Sequence, residues 1–197
     1  MDSAFIKALA LPRPDPGGGS AAAHGAALGM ALLEKVVQLE QNRQSTQPHA
    51  RPPWDDFLPQ VRRIAAELLA LQQEDIRAYF TLTRTRAAGS AEERAAALEE
   101  AVACPGRIMR QTVEGLALLA QVGGRCRLHL VADMLVAAEL LGGACRGAYY
   151  IARANLPLMA EPSRQDAWRR RLTQSLAECE SWSRQVITAL HGRMPCP

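Results

Sequence analysis

Pro16-Gly17-Gly18-Gly19-Ser20-Ala21-Ala22-Ala23-His24-Gly25-Ala26-Ala27-Leu28-Gly29 is the stretch on which the reading of this chain turns. Three consecutive glycines let the backbone take φ > 0 and approach a ligand with no Cβ in the way. Ser20 has the chemistry of an N-cap, with a hydroxyl able to accept from an early orphan N–H of the helix that follows. That helix opens with Ala or Gly at almost every position, so a second helix or a ligand can approach its backbone closely. A glycine loop feeding a helix N-terminus suits an anionic or carbonyl-bearing group. It is not a P-loop, because the Lys-Ser/Thr ending is absent and no strand precedes it. The competing reading is a tight connection between two helices.

Around this stretch, 197 residues are enough for one sizeable core and suggest a single domain over 1–197. Aromatic residues make up only 5% of the chain, and Ala, Leu, Glu, Gln and Arg dominate, which favours helix over sheet. A net charge of +3 is too mild for a nucleic-acid binder, and no basic block with interleaved aromatics occurs. The arginines of 127–153 and 164–171 leave local positive potential for an anionic small molecule. Five cysteines, none in a C-x-x-C pair, suggest neither a zinc site nor a disulfide framework. No signal-like segment opens the chain. The apolar run 128–150 is interrupted by His129, Asp133, Glu139 and Arg146, which argues against a membrane span. A soluble, cytoplasmic protein is expected.

Six to seven helices are predicted. Residues 3–9 form a short one, stopped by Pro12, Pro14 and Pro16. The second covers about 20–43, with Leu28, Leu32, Val36 and Leu39 as its apolar face. Residues 44–53 read as a loop. The third helix fits 55–86, with Val61, Ile64, Leu68, Leu71 and Asp75 close to one face. Ser90-Ala91-Glu92-Glu93 has the form of a capping box and starts a fourth helix, which reaches about Val122. Pro105 should kink or split that helix, and Gly123-Gly124 should cap it. The fifth, about 127–154, is apolar nearly all round and reads as central and buried. The last covers 163–191. The whole predicts an all-α antiparallel up-and-down bundle, and its surplus of apolar surface predicts a homodimer.

Few side chains carry chemistry. Asp133 lies in Leu-Val-Ala-Asp-Met-Leu-Val, where a carboxylate is either a general base or ligand anchor, or a buried group that caps a neighbouring helix or pairs with an Arg. Glu74-Asp75 is a paired carboxylate that reads either as a site or as a solvated face. His24, near the glycine loop, is a proton shuttle or a packed histidine. Asn155 closes the fifth helix as a C-cap or a binding residue, and Tyr149-Tyr150 could stack on a planar ring. Residue types and spacing alone point to a pocket but not to a reaction.

The order of these features resembles the cyclodeaminase/cyclohydrolase family. Pro16 to Ala22 is similar to its signature start, and Glu74-Asp75-Ile76-Arg77-Ala78-Tyr79 resembles its acidic-Asp-x-x-Ala-Phe segment. Ala103-Cys104-Pro105 matches its small-x-Pro, Ala132 to Ala137 its Ser-Asp-x-x-Val-Ala, and Asn155-Leu156 its Asn-Leu helix end. The resemblance implies a dimerising helical bundle that acts on a folate-like small molecule at the carbon between N5 and N10. It implies no metal and no cofactor beyond a tetrahydrofolate-type substrate. It places Gly17, Gly18, Gly19 and Ser20 on the folate, with His24, Gln38 and Asn155 as further binding residues. Asp133 and Asp75 become the catalytic or orienting carboxylates, and Arg43 or Arg153 meets the glutamate tail. The chain departs from the family pattern in four places. Gln38 and Asn42-Arg43-Gln44 stand where the family has Asn and then Gly-Lys-Lys. Ile151 replaces the first Asn of Asn-Val-x-x-Asn, His24 an aliphatic residue, and Ala132 the serine. A folate enzyme and a re-purposed dimeric binding protein are therefore both consistent with the sequence, as is a helical partner protein in which the loop only connects.

Overall fold

In the computed structural model, which describes residues 3–46 and 54–194, the chain is all-α. The helices are α1 (Ser3–Leu9), α2 (Gly18–Thr46), α3 (Trp54–Ala88), α4 (Ala91–Gly123), α5 (Val131–Asn155) and α6 (Pro162–His191). Single 3-10 turns at Leu128–Leu130 and Leu156–Leu158 flank α5. Of the loop expected over 44–53, residues 44–46 continue α2 and 47–53 lie outside the described residues.

Cross-helix contacts give the directions. Gln41 meets Asp55, Glu34 meets Arg62 and His24 meets Gln72, so α3 runs antiparallel to α2. Lys35 meets Asp133, Gly29 faces Ala137 and Leu141, and Gly18 faces Ile151, so α5 is also antiparallel to α2. α4 runs against α3 through Arg63–Glu114 and Arg107–Glu74, and against α5 through Gly115–Leu141. α6 lies parallel to α4, from Trp168 on Glu99 to Leu190 on Gly123, and covers the α4/α5 groove. The result is the expected up-and-down bundle.

Its core is filled by Met30 and Leu33 of α2, Leu68 of α3, Ile108 and Leu116 of α4, and Leu141 of α5, all essentially excluded from solvent. The Gly/Ala character of α2 has the expected use. Ala22, Ala23 and Ala26 are buried, and a Cβ on Gly29 would stand 3.1 Å from the Ala137 carbonyl. The buried face of α2 is therefore not the Leu28–Leu39 stripe. Leu28 is 50% exposed and Leu39 40% exposed, while of that stripe Val36 is fully buried. Small side chains pack against both α3 and α5 and leave the leucines outside. α5 is likewise not enclosed all round, since Val136 and Tyr150 are exposed. The segment from Leu128 to Leu158 is long and apolar enough to cross a membrane, but half of it is buried against the other helices.

Caps follow the sequence. Ser90 Oγ accepts from the Glu93 N–H and the Glu93 carboxylate accepts from the Ser90 N–H. Gly124 ends α4 in right-handed geometry, and none of the described glycines has a positive φ. Pro105 does not split α4, which is continuous through it. A proline at 105 has no N–H for the carbonyl of residue 101, four positions back. The side chain of Asn155 takes that place, its Nδ2 donating to the Ala101 carbonyl at 3.1 Å.

Candidate functional site

A cleft of about 650 Å³ opens at the end of the bundle where α2 begins and α5 finishes. Its walls are Gly17–Gly19, one stripe of α3 running from Asp75 to Arg86, and Ile151 with Asn155 on α5. The stripe follows from helix geometry: positions 75, 78, 79, 82 and 86 recur every three to four residues on one face.

The glycines serve close approach rather than unusual backbone angles. A Cβ on Gly19 would lie 2.1 Å from Asp75 Oδ1, and one on Gly18 would lie 2.9 Å from Ile151 Cδ1. The Asp75 carboxylate fills the space beside Gly19 and accepts from the backbone N–H of Ser20. It therefore caps the N-terminus of α2 from a neighbouring helix, where the helix dipole favours an anion. Burial pushes the Asp75 carboxyl above its ordinary value, and the Ser20 N–H partly offsets that rise. Ser20 itself is not an N-cap, because α2 starts two residues earlier. Its hydroxyl is fully buried and donates to the Gly17 carbonyl at 2.9 Å. Tyr79 stands at the cleft, 39% exposed as a residue, in reach of a planar ligand.

The expected Glu74-Asp75 pair divides its duties. Glu74 turns to α4, where it accepts from Arg107 at 3.0 Å, and Arg107 also pairs with Glu100. Among the described residues Glu74, Glu100 and Cys104 bring donor atoms within 4.8 Å of one another. Arg107 already supplies the cation there, and burial holds the Cys104 thiol up to about 12, as a neutral group.

Other expected site residues sit elsewhere. Asp133 does not face this cleft. It pairs with Lys35 at 2.8 Å on the outside of the bundle, 35% exposed, so it is neither buried nor orphaned. Lys35 is seventeen residues along α2 from Gly18, about 25 Å at 1.5 Å per residue. Gln38 donates to Glu34 at 2.8 Å, and Arg43 lies near Glu40 at 4.0 Å, both still farther along α2. His24 is half-buried, stacked on Phe5 at 4.6 Å and with Nδ1 3.2 Å from Gln72 Oε1. Tyr149 and Arg153 line a separate small cavity with Arg169. The loop, Asp75 and Asn155 thus converge, and Asp133, Gln38 and Arg43 do not join them within this chain. Arg86 and Tyr79 had a sequence signal, their spacing from Asp75, but only knowledge of which face lines the cleft gives that spacing meaning.

Comparison with known proteins bears on the same residues. The profile of the family described as formiminotransferase-cyclodeaminase matches residues 2–174. Formimidoyltransferase-cyclodeaminase of Rattus norvegicus is 29% identical over 202 residues, covering 96% of this chain and 37% of that protein. The Sus scrofa protein of the same name is 28% identical over 199 residues, covering 96% and 36%. This chain thus spans little more than a third of the length of the curated relatives it matches. The crystal structure of a formiminotetrahydrofolate cyclodeaminase from Thermotoga maritima superposes with a TM-score of 0.87. That match is at 21% identity and covers 95% of this chain and 94% of the other. Glycine loop, helical order and profile agree: the chain belongs to the formiminotransferase-cyclodeaminase family.

Proposed function

We propose that this chain is a cyclodeaminase acting on a one-carbon-substituted tetrahydrofolate bound at the glycine loop. The observation that carries the reading is the Asp75 carboxylate, held against Gly19 and the Ser20 N–H inside the one cleft that the family's signature loop helps to build. In the proposed reaction N10 attacks the formiminium carbon on N5, forming a tetrahedral carbon that carries an NH2 group. Asp75 takes the N10 proton and returns it to that NH2. The carbon–nitrogen bond then breaks, ammonia leaves, and the 5,10-methenyl cation remains. A carboxyl displaced upward by burial suits a proton carrier that must both accept and donate. Asn155 and the free N–H groups at the start of α2 orient the ring system, and Tyr79 covers it. Purified protein given 5-formiminotetrahydrofolate should generate the near-ultraviolet absorbance of methenyltetrahydrofolate, and Asp75→Asn should abolish it. Full turnover by the Asn variant would refute the assignment.

A second reading rests on Ile151. It presses an apolar side chain on Gly18 at the position where the family pattern has an asparagine, which removes a polar contact from the cleft wall. The alternative is a re-purposed binding protein for another planar ligand. Mass spectrometry of the small molecule that co-purifies distinguishes the two readings.

Self-association is part of the same proposal. Leu28, Val136 and Tyr150 are each at least half exposed on the outer side of α2 and α5, and Gly25 and Gly143 face open space. A second copy packed on this face would bury them. Light scattering should give a dimer for the native chain and a monomer for Val136→Glu.

A further inference from the structure

Cys145 of α5 and Cys179 of α6 are both free thiols, and both are fully excluded from solvent. The register of the two helices brings them together. Tyr149, Arg153 and Leu156 share a cavity with Arg169, Leu172 and Thr173, and Gly142 lies against Ser183, so α5 and α6 run antiparallel. Cys145 is one turn on from Gly142 and Cys179 one turn back from Ser183, which sets the two sulfurs opposite each other. The backbones approach closely here, because a Cβ on Gly142 would stand 2.8 Å from Ser183 Oγ. The Cys145 thiol donates to the Cys179 sulfur. Cys104 and Cys126 are engaged differently, with Sγ on the carbonyls of Leu71 at 3.8 Å and Gly123 at 3.6 Å.

The surroundings distinguish the two thiols. The bond from Cys145 holds the Cys179 thiol below its ordinary value, and Ser183 Oγ at 4.0 Å and the Arg146 charge act the same way against burial. Cys145 is raised by that same bond and by burial. Arg146 Nη1 lies 3.5 Å from where a Cβ on Gly142 would be, so a cation sits on the turn that carries the pair. A thiol of lowered pKa beside a second thiol is the arrangement of a reactive cysteine and its resolving partner. Of the 30 residues of α6 only Leu172, Cys179, Ser183, Val186 and Leu190 are buried. Lifting α6 from the α4/α5 groove therefore exposes little apolar surface and brings the pair to solvent while the other helices stay folded.

We propose that Cys145 and Cys179 form a reversible disulfide that clamps α6 to α5, with a hydroperoxide as the oxidant. The Cys179 thiolate attacks the outer peroxide oxygen, the O–O bond breaks, and the leaving oxygen takes a proton and departs as an alcohol or water. Cys179 is then a sulfenic acid. Cys145 loses its proton and attacks the Cys179 sulfur, the S–O bond breaks, and that oxygen leaves as water. Two thiols are oxidised by two electrons, one peroxide is reduced, and one S–S bond is made. The clamp is independent of the folate reading, because neither cysteine lines the glycine-loop cleft.

The test treats the native full chain with hydrogen peroxide and digests it without reduction. Mass spectrometry should find the peptide holding Cys145 joined to the peptide holding Cys179, with the loss of two hydrogens. The link closes a loop of about 34 residues, so the oxidised protein should melt roughly 5–15 °C higher, and dithiothreitol should return Tm to its starting value. Cys145→Ala and Cys179→Ala should each abolish both the linked peptide and the shift. Free Cys145 and Cys179 after treatment overturn the proposal, as does either of them linked to another cysteine. Cys179 found as a sulfinic acid beside a free Cys145 also overturns it, because the second thiol then fails to resolve the first. A linked protein with unchanged Tm removes the clamp. The native measurements decide the matter even if a variant fails to fold.

Discussion

Replacing Asn155 offers the sharpest check on how the fold builds its cleft, because its partner is orphaned by a residue fifty positions away. Pro105 leaves the Ala101 carbonyl without its helical donor, and Ala101 is only 7% exposed, so water does not readily replace it. The Asn155 amide supplies the missing bond at 3.1 Å. Asn155→Ala removes the donor and leaves a buried carbonyl unsatisfied, which costs about 1–3 kcal/mol. In a chain of this size that lowers Tm by roughly 2–4 °C per kcal/mol. In a Pro105→Ala background the new N–H at 105 can bond the Ala101 carbonyl within the helix. The same Asn155→Ala change should then cost less by about 1 kcal/mol or more. Urea unfolding of the four proteins of this cycle measures the coupling. If Asn155→Ala costs the same in both backgrounds within about 0.5 kcal/mol, the account of Asn155 as the substitute donor is refuted.

Further outcomes are expected. Gly19→Ala drives a methyl into the Asp75 carboxylate, 2.1 Å away, and should lower turnover by about a hundredfold, whereas Gly25→Ala, with open space around it, should fold at least as stably as the native chain; initial rates and unfolding midpoints check both. Because burial raises the Asp75 carboxyl above 3.8, the folded chain keeps this proton to higher pH than the unfolded one. Its ionisation therefore subtracts stability as pH rises between the two values, so Asp75→Asn should be no less stable than native at neutral pH, and any advantage should vanish below about pH 3.9. Turnover should rise with pH through a value above 3.8, and an unchanged pH profile in Asp75→Asn would remove Asp75 from the reaction. Ile151→Asn returns a polar group to the wall beside Gly18 and should tighten binding of 5-formyltetrahydrofolate by about tenfold, read by calorimetry.

The sequence by itself determined the helices, with most of their ends to within a few residues. Capping boxes, 3.6-residue periodicity and proline stops act within a few residues, so the Ser90 box and α1 lie where they were expected. It also determined that α2 would pack closely, because side-chain size is written at each position. The resemblance carried in the Pro16–Ala22 stretch led to the right family. What only the tertiary structure decided is which residues meet. Asp133 and Asp75 were both expected to line the cleft, yet the antiparallel register of α2 and α5 sets Asp133 against Lys35, on the outside. The register of α2 and α3 sets Asp75 against Gly19 instead. Register depends on how the faces of several helices interlock at once, and no local signal encodes it. The same holds for Asn155, whose partner lies 54 residues away, and for Arg86, whose neighbours come from separate helices. Helix formation is settled by neighbours in the chain, and the site by neighbours in space.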